Sequence, residues 1–160
     1  RLNILKEHGL GLNDIQEVIA EMGPFPGAKE FVEWLRTHFQ LIILSDTFYE
    51  FAHPLMKQLG WPTIFCHKLE TDEKGMITTY KLRQPDQKRE AVKALHGLNY
   101  RVIAAGDSYN DTTMLGEADK GFLFDAPENV IKEFPQFPAI HGYAALKEAI
   151  RNASVRDIPA

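Results

Sequence analysis

Two short runs of this sequence are apolar without interruption, and each ends in a polar cluster. Leu41-Ile42-Ile43-Leu44 leads into Ser45-Asp46-Thr47, and Val102-Ile103-Ala104-Ala105 leads into Gly106-Asp107-Ser108-Tyr109-Asn110-Asp111. A strand that is apolar on both sides must be covered on both sides, which is the condition of a parallel sheet flanked by helices. In such sheets ligands bind beyond the carboxyl ends of the strands. The two polar clusters fall where a site is expected.

The intervening segments have the matching pattern. Helical spacing predicts helices over Ala28–Phe39, Phe48–Leu59, Gln87–His96, Thr112–Ala118, Glu128–Glu133 and Ala144–Ile150. Short strands are expected at Thr63–His67, Gly121–Phe124 and Ala139–His141, and a hairpin over Leu69–Leu82 turning at Asp72-Glu73-Lys74-Gly75. Strands alternating with helices imply an α/β fold, a doubly wound parallel sheet with right-handed crossovers. Ahead of it, Leu2, Ile4 and Leu5, then Leu12, Ile15, Val18, Ile19 and Met22, read as two short amphipathic helices around a Gly9 turn, with Asn13 or Asp14 as cap of the second. The breaker Gly23-Pro24-Phe25-Pro26-Gly27 marks a boundary. The expected organisation is a helical segment at 1–24, a core at 25–155 and a tail at 156–160.

Composition narrows the function classes. A net charge of −4 and the absence of a dense basic cluster speak against nucleic-acid binding. No stretch approaches the ~18 apolar residues of a membrane span. One cysteine, Cys66, cannot form an internal disulfide and reads as a small apolar strand residue. With no signal peptide visible, a cytoplasmic protein is expected.

The second polar cluster is chemically the more telling. Gly106 lets the chain turn sharply out of its strand, and Asp107 then lies beside Asn110 and Asp111. Carboxylate and amide oxygens without His or Cys suit a hard ion such as Mg2+. Both clusters are expected to open helices, whose free N–H groups favour a phosphate. Helix capping is the competing reading, and for Ser45 or Asp46 taken alone it is the stronger one. Lys88, at a helix start after Gln84-Pro85-Asp86-Gln87, opposes the helix dipole. On position alone it is equally a surface lysine or a cation for a phosphoryl group.

Three pieces in this order, Ser45 ending a strand, Lys88 before a helix, and Gly106-Asp107-x-x-x-Asp111, resemble the haloacid dehalogenase superfamily. Within it, Ile43-Leu44-Ser45-Asp46-Thr47-Phe48, Gly106 to Leu115, Ala126-Pro127-Glu128-Asn129-Val130 and Glu133 to Pro138 resemble the phosphoserine phosphatase branch of Pseudomonas-type bacteria that also transfers phosphate to homoserine. The resemblance implies a Rossmannoid core with a helical cap remnant and a hairpin insertion. It implies Mg2+ held by Asp107, and a catalytic set of Ser45, Lys88 and Asp111. Substrate binding would fall to Arg1, Ser45, Asp46, Lys88 and Asn110, although a frayed terminal charge is an equal reading of Arg1. It implies phosphoserine as substrate, homoserine as a second acceptor, and a homodimer.

The departure from the family is large. Its first strand ends in Asp-x-Asp, whose first aspartate attacks phosphorus, and no Asp-x-Asp occurs in these 160 residues. Residues 1–22 resemble the end of the cap that follows that strand, so the nucleophile is expected ahead of Arg1. On that expectation the 160 residues alone aggregate and do not turn over substrate. Two rivals remain at this point: a non-catalytic remnant that binds a phosphorylated metabolite, and a phosphatase of another small phosphomonoester.

Overall fold

The computed structural model describes His8 and residues 11–159. The expected helix around Leu2, Ile4 and Leu5, and the substrate-binding candidate Arg1, lie outside the described residues. The chain forms two compact units, one running to Pro85 and the other starting at Asp86.

The first unit contains α1 (Leu12–Met22), α2 (Ala28–His38), β1 (Ile42–Phe48), α3 (Tyr49–Gln58), β2 (Thr63–Thr71) and β3 (Ile77–Lys81). Strand β1 pairs in parallel with β2, and β2 pairs antiparallel with β3. The expected hairpin is present, but its first arm continues the strand expected at Thr63–His67, so the two form one strand. Its turn is closed by Asp72, whose Oδ1 accepts the N–H groups of Lys74 and Met76 at 2.9 Å each. Gly75 takes φ +77° there, a conformation that costs other residues.

The core of this unit is Ala52, Met56 and Leu59 from α3 and its end, packed with Val32, Ile43, Leu55 and Ile64. Pro54 sits inside α3 and cannot donate to the carbonyl of Glu50 one turn earlier. The Gln16 side chain of α1 supplies that bond instead, its Nε2 donating to Glu50 O at 2.7 Å. Gln58 Nε2 donates in return to Ala20 O at 3.0 Å, which fastens α1 to α3 at both ends. The cap of α1 is Gly11, not Asn13 or Asp14, because Asp14 lies in the first turn and reaches back to accept the Gly11 N–H at 2.8 Å. Cys66 is 1% exposed, and burial pushes its thiol up to about 11, which suits the apolar role expected of it.

The second unit contains α4 (Gln87–Gly97), β4 (Ile103–Gly106), a 3-10 turn (Tyr109–Asp111), α5 (Thr112–Glu117), β5 (Lys120–Phe124), α6 (Glu128–Glu133), β6 (Ala139–Ile140) and α7 (Gly142–Ala153). Its strands run parallel in the order β4-β5-β6. The expected parallel pairing is thus present, in two three-stranded sheets among the described residues. Leu115, Leu123, Val92 and Val130 are its most deeply buried side chains. A Cβ on Gly121 would lie 2.5 Å from Leu115 O, so only glycine lets β5 approach α5 this closely. Near the end, the Ile158 side chain is buried and its carbonyl accepts Arg151 Nε at 2.9 Å.

Candidate active site

In the second unit the loop after β4 is organised around one carboxylate. Asp111 is 6% exposed. Its Oδ2 accepts the N–H of Asp107 at 3.1 Å, the N–H of Ser108 at 3.1 Å and the Ser108 hydroxyl at 2.9 Å. Its Oδ1 accepts Lys88 Nζ at 2.8 Å. A buried carboxylate is tolerated when its lone pairs are filled and a cation faces it, and both conditions hold here. The chain can close on itself this tightly because residue 106 is glycine: a Cβ there would lie 2.5 Å from Asp111 Cβ.

Lys88 is the second residue of α4 and is 8% exposed. The helix starts from Asp86 in the left-handed region, and Asp86 Oδ1 accepts Thr113 Oγ1 from α5 at 2.8 Å. The dipole of α4 disfavours an ammonium at this end, so the Asp111 carboxylate is what makes the placement tolerable. Around this locked pair, Asp107 and Asn110 are exposed. Neither side chain makes a hydrogen bond or ion pair among the described residues. An exposed carboxylate beside a rigid loop is a donor available to a hard cation. No group of three His, Cys, Asp or Glu among the described residues forms a metal cage. That donor set fits Mg2+, which takes one or two carboxylates and completes its shell with phosphate oxygens and water.

In the first unit Ser45, Asp46 and Thr47 lie on β1 itself. The expectation that they open a helix is corrected: the strand runs on to Phe48, which is the N-cap of α3. Pairing explains the extension. Leu44 faces Phe65 and Phe48 faces His67, so three residues of β1 stand opposite the single Cys66 of β2. The strand bulges at that point, and a bulge re-aims side chains without ending the ladder. Within it Ser45 Oγ accepts the Thr47 N–H at 3.3 Å. Capping, the competing reading for Ser45 and Asp46, does not apply to residues inside a strand.

Sequence reasoning missed His67. It is 7% exposed, and its Nε2 lies 3.8 Å from Asp46 Oδ1. Its Nδ1 accepts the Arg83 N–H at 3.1 Å, so in the neutral ring the proton sits on Nε2, facing Asp46. A histidine in the middle of an apolar strand carries no sequence signal for such a contact. Arg83 is itself held by donating Nε to Cys66 O at 3.2 Å and by stacking over Phe65 at 5.0 Å. Of the candidates, then, Lys88, Asp107, Asn110 and Asp111 share one loop system in the second unit, and Ser45 and Asp46 share the bulge of the first.

The Asp111 environment has a consequence in acid. Burial raises its carboxyl, but the hydrogen bond and charge of Lys88, with the Ser108 donors, outweigh that and hold it below the ordinary carboxylate value. A carboxyl lowered by folding contributes stability that is fully present above its unfolded value of ~3.9 and is lost as pH falls through the folded value. Denaturant unfolding measured from about pH 5 to pH 2 should show a loss of stability on that side. Asp111→Asn should flatten the same limb.

The comparisons with known proteins agree with one another. A family described as haloacid dehalogenase-like hydrolase matches residues 3–119. The phosphoserine phosphatase ThrH of Pseudomonas aeruginosa is 64% identical over 158 residues, covering 99% of this chain and 77% of its own length. A phosphoserine phosphatase of Pseudomonas syringae pv. tomato is 62% identical over 158 residues, covering 99% of this chain and 67% of its own. Among solved structures, a phospho-aspartyl intermediate analogue of phosphoserine phosphatase matches with a TM-score of 0.71, covering 89% of this chain and 70% of that one. Its sequence is 20% identical, so that likeness concerns the fold alone.

Proposed function

Because this chain belongs to the haloacid dehalogenase-like hydrolases, we propose that it is the phosphate- and metal-binding part of a phosphoserine phosphatase. The observation that carries the reading is the buried Lys88–Asp111 pair, which locks the loop bearing Asp107 and Asn110. Phosphoryl transfer asks a protein chiefly for positioning and for charges fixed where the transferring oxygens develop theirs. The 64% identity to a phosphoserine phosphatase supports phosphoserine as the substrate.

In this reading the seryl O–P bond breaks as a carboxylate oxygen bonds to phosphorus, and the departing seryl oxygen takes a proton. Water then attacks phosphorus, which releases inorganic phosphate and restores the carboxylate. Ser45 donates its O–H to a phosphoryl oxygen. Lys88 offsets charge on the phosphoryl group and on the attacking carboxylate, its position set by Asp111. Asn110 donates to the phosphate or to the incoming nucleophile. Asp46, steadied by His67, borders the substrate, and Arg1 holds the substrate carboxylate. Mg2+, held by Asp107 and oriented through Asp111, would supply charge neutralisation at the phosphoryl oxygens.

Homoserine as an alternative acceptor, a homodimer, a cytoplasmic location and the division into a partial cap (1–24), core (25–155) and tail (156–160) belong to the same proposal. No helix among the described residues is long and apolar enough to cross a membrane. No Asp-x-Asp pair in the 160 residues supplies the attacking carboxylate, so the tests use the full-length protein. A panel of phosphoserine, phosphothreonine and p-nitrophenyl phosphate, with and without added homoserine, separates the substrates. Phosphoserine should lead the panel in kcat/KM, and O-phosphohomoserine should form when homoserine is present. A panel led by another phosphomonoester would overturn the substrate assignment, and turnover without phosphohomoserine would remove the second acceptor.

A further inference from the structure

The loop carrying Asp107 and Asn110 is held from two sides. Asp111 and Lys88 fasten it from inside. From outside it is fastened by Tyr109, a residue that the proposed chemistry does not use. The Tyr109 hydroxyl donates to Glu133 Oε2 at 2.8 Å and accepts Asn129 Nδ2 at 3.3 Å. Asn129 and Glu133 stand four apart on α6 and therefore share one face of it. The ring also meets Phe134 edge-on with centroids 5.8 Å apart, and Phe134 in turn stacks on Phe137 at 6.4 Å. Helix α6 is a firm anchor because Val130 is 2% exposed.

The placement of Glu133 is informative. A carboxylate in the last position of a helix opposes the dipole and is locally unfavourable. Such a local violation tends to mark a functional requirement. What Glu133 gains there is the Tyr109 hydroxyl as a hydrogen-bond donor. The backbone at Tyr109 is engaged as well, since its carbonyl accepts Thr112 Oγ1 at 2.8 Å. Tyr109 lies between Asp107 and Asn110, so clamping its side chain limits how far either neighbour can drift.

We propose that Tyr109, gripped by Glu133 and Asn129, is a positioning residue that sets the Asp107–Asn110 segment for metal and phosphate. The inference rests on the phosphatase reading above, because it takes Asp107 as a Mg2+ ligand. It is read by two measurements on the full-length protein: Mg2+ affinity by titration calorimetry, and amide hydrogen exchange across residues 107–111. Tyr109→Phe keeps the ring against Phe134 and removes both hydrogen bonds. It should weaken Mg2+ binding roughly tenfold, the scale seen when a partner of a metal ligand's support is lost. Exchange should quicken at Ser108 to Asn110 while β5 keeps its protection. Glu133→Ala, which leaves the Asn129 bond in place, should act in the same direction and less strongly, and the double variant should be no worse than Tyr109→Phe alone. Glu133→Gln, whose amide oxygen still accepts the phenol proton, should stay close to wild type. Unchanged Mg2+ affinity and unchanged local exchange in Tyr109→Phe, with wild-type turnover intact, overturn the positioning role and leave the phosphatase reading standing. Faster exchange throughout the second unit also overturns it, because the effect would then be on folding. A wild-type protein that binds no Mg2+ overturns both.

Discussion

Lys88→Met should destabilise the second unit by about 3–5 kcal/mol, because it leaves the Asp111 carboxylate buried without its cation. The same change should lower phosphatase turnover by roughly 10²–10³-fold, the scale of removing one preorganised charge stabiliser. Denaturant unfolding and steady-state kinetics check the two effects separately. The pH dependence should change with them. With the Lys88 contributions gone, the Asp111 carboxyl rises, so less stability is lost on acidification. Adding Asp111→Asn to Lys88→Met should recover much of the stability and none of the activity. The asparagine oxygen still accepts the loop donors of Asp107 and Ser108, and no buried charge is stranded. Were the double variant as unstable as the single one, charge burial would not be the cause.

Gly106→Ala should be as damaging to function with a smaller cost in folding. The new methyl would sit 2.5 Å from Asp111 Cβ, 2.6 Å from its Cγ and 2.8 Å from its Oδ2, distances at which something must shift. Overpacking of this kind costs typically ~1–3 kcal/mol. The group that must move is the one that fixes Lys88 and the loop amides. A displacement of about 1 Å in a catalytic constellation is enough to cost ~10²-fold in rate. Gly97→Ala is the control, since a methyl there meets nothing within 4 Å. It should leave stability within about 1 kcal/mol and kinetics unchanged. Equal kinetics for Gly106→Ala and Gly97→Ala would show that the close approach at Gly106 has no functional weight.

The parts of the fold that could be read from the sequence are those decided by continuous local pattern. Val102–Ala105 reads as a strand because nothing polar interrupts it, although the strand runs Ile103–Gly106 and fully buries only Ala104, and Glu128–Glu133 reads as a helix with the bounds it has. The Asp72 turn was legible because Asp and Gly have specific turn chemistry. Lys88 and Asp111 were legible as site candidates, but not as partners. They are 23 residues apart, and only the return of α4 beside the β4 loop brings them to 2.8 Å.

What could not be read depended on pairing between strands or on reach across the fold. Ser45, Asp46 and Thr47 look like the start of a helix by composition, and it is their register against Cys66 that keeps them extended. His67 and Arg83 each look ordinary until β2 and the end of the hairpin bring them together. The helix over Phe48–Leu59 can be read across Pro54, but not the bond that offsets the proline, which comes from Gln16, 34 residues before the carbonyl it serves. Tyr109 has the same character, since its meaning lies in Glu133, 24 residues on. Long-range contacts of this kind leave no periodic trace in a single sequence.

Inorganic phosphate released from phosphoserine by the full-length protein, measured in Mg2+ and again after chelation, tests whether the Lys88–Asp111 loop serves a Mg2+-dependent phosphatase. Release should be steady in Mg2+, stop with chelator and return when Mg2+ is added back, with little release from Lys88→Met under any of these conditions. Release that is indifferent to chelation and unaffected by Lys88→Met would contradict that role, as would a folded, Mg2+-binding protein that leaves phosphoserine intact.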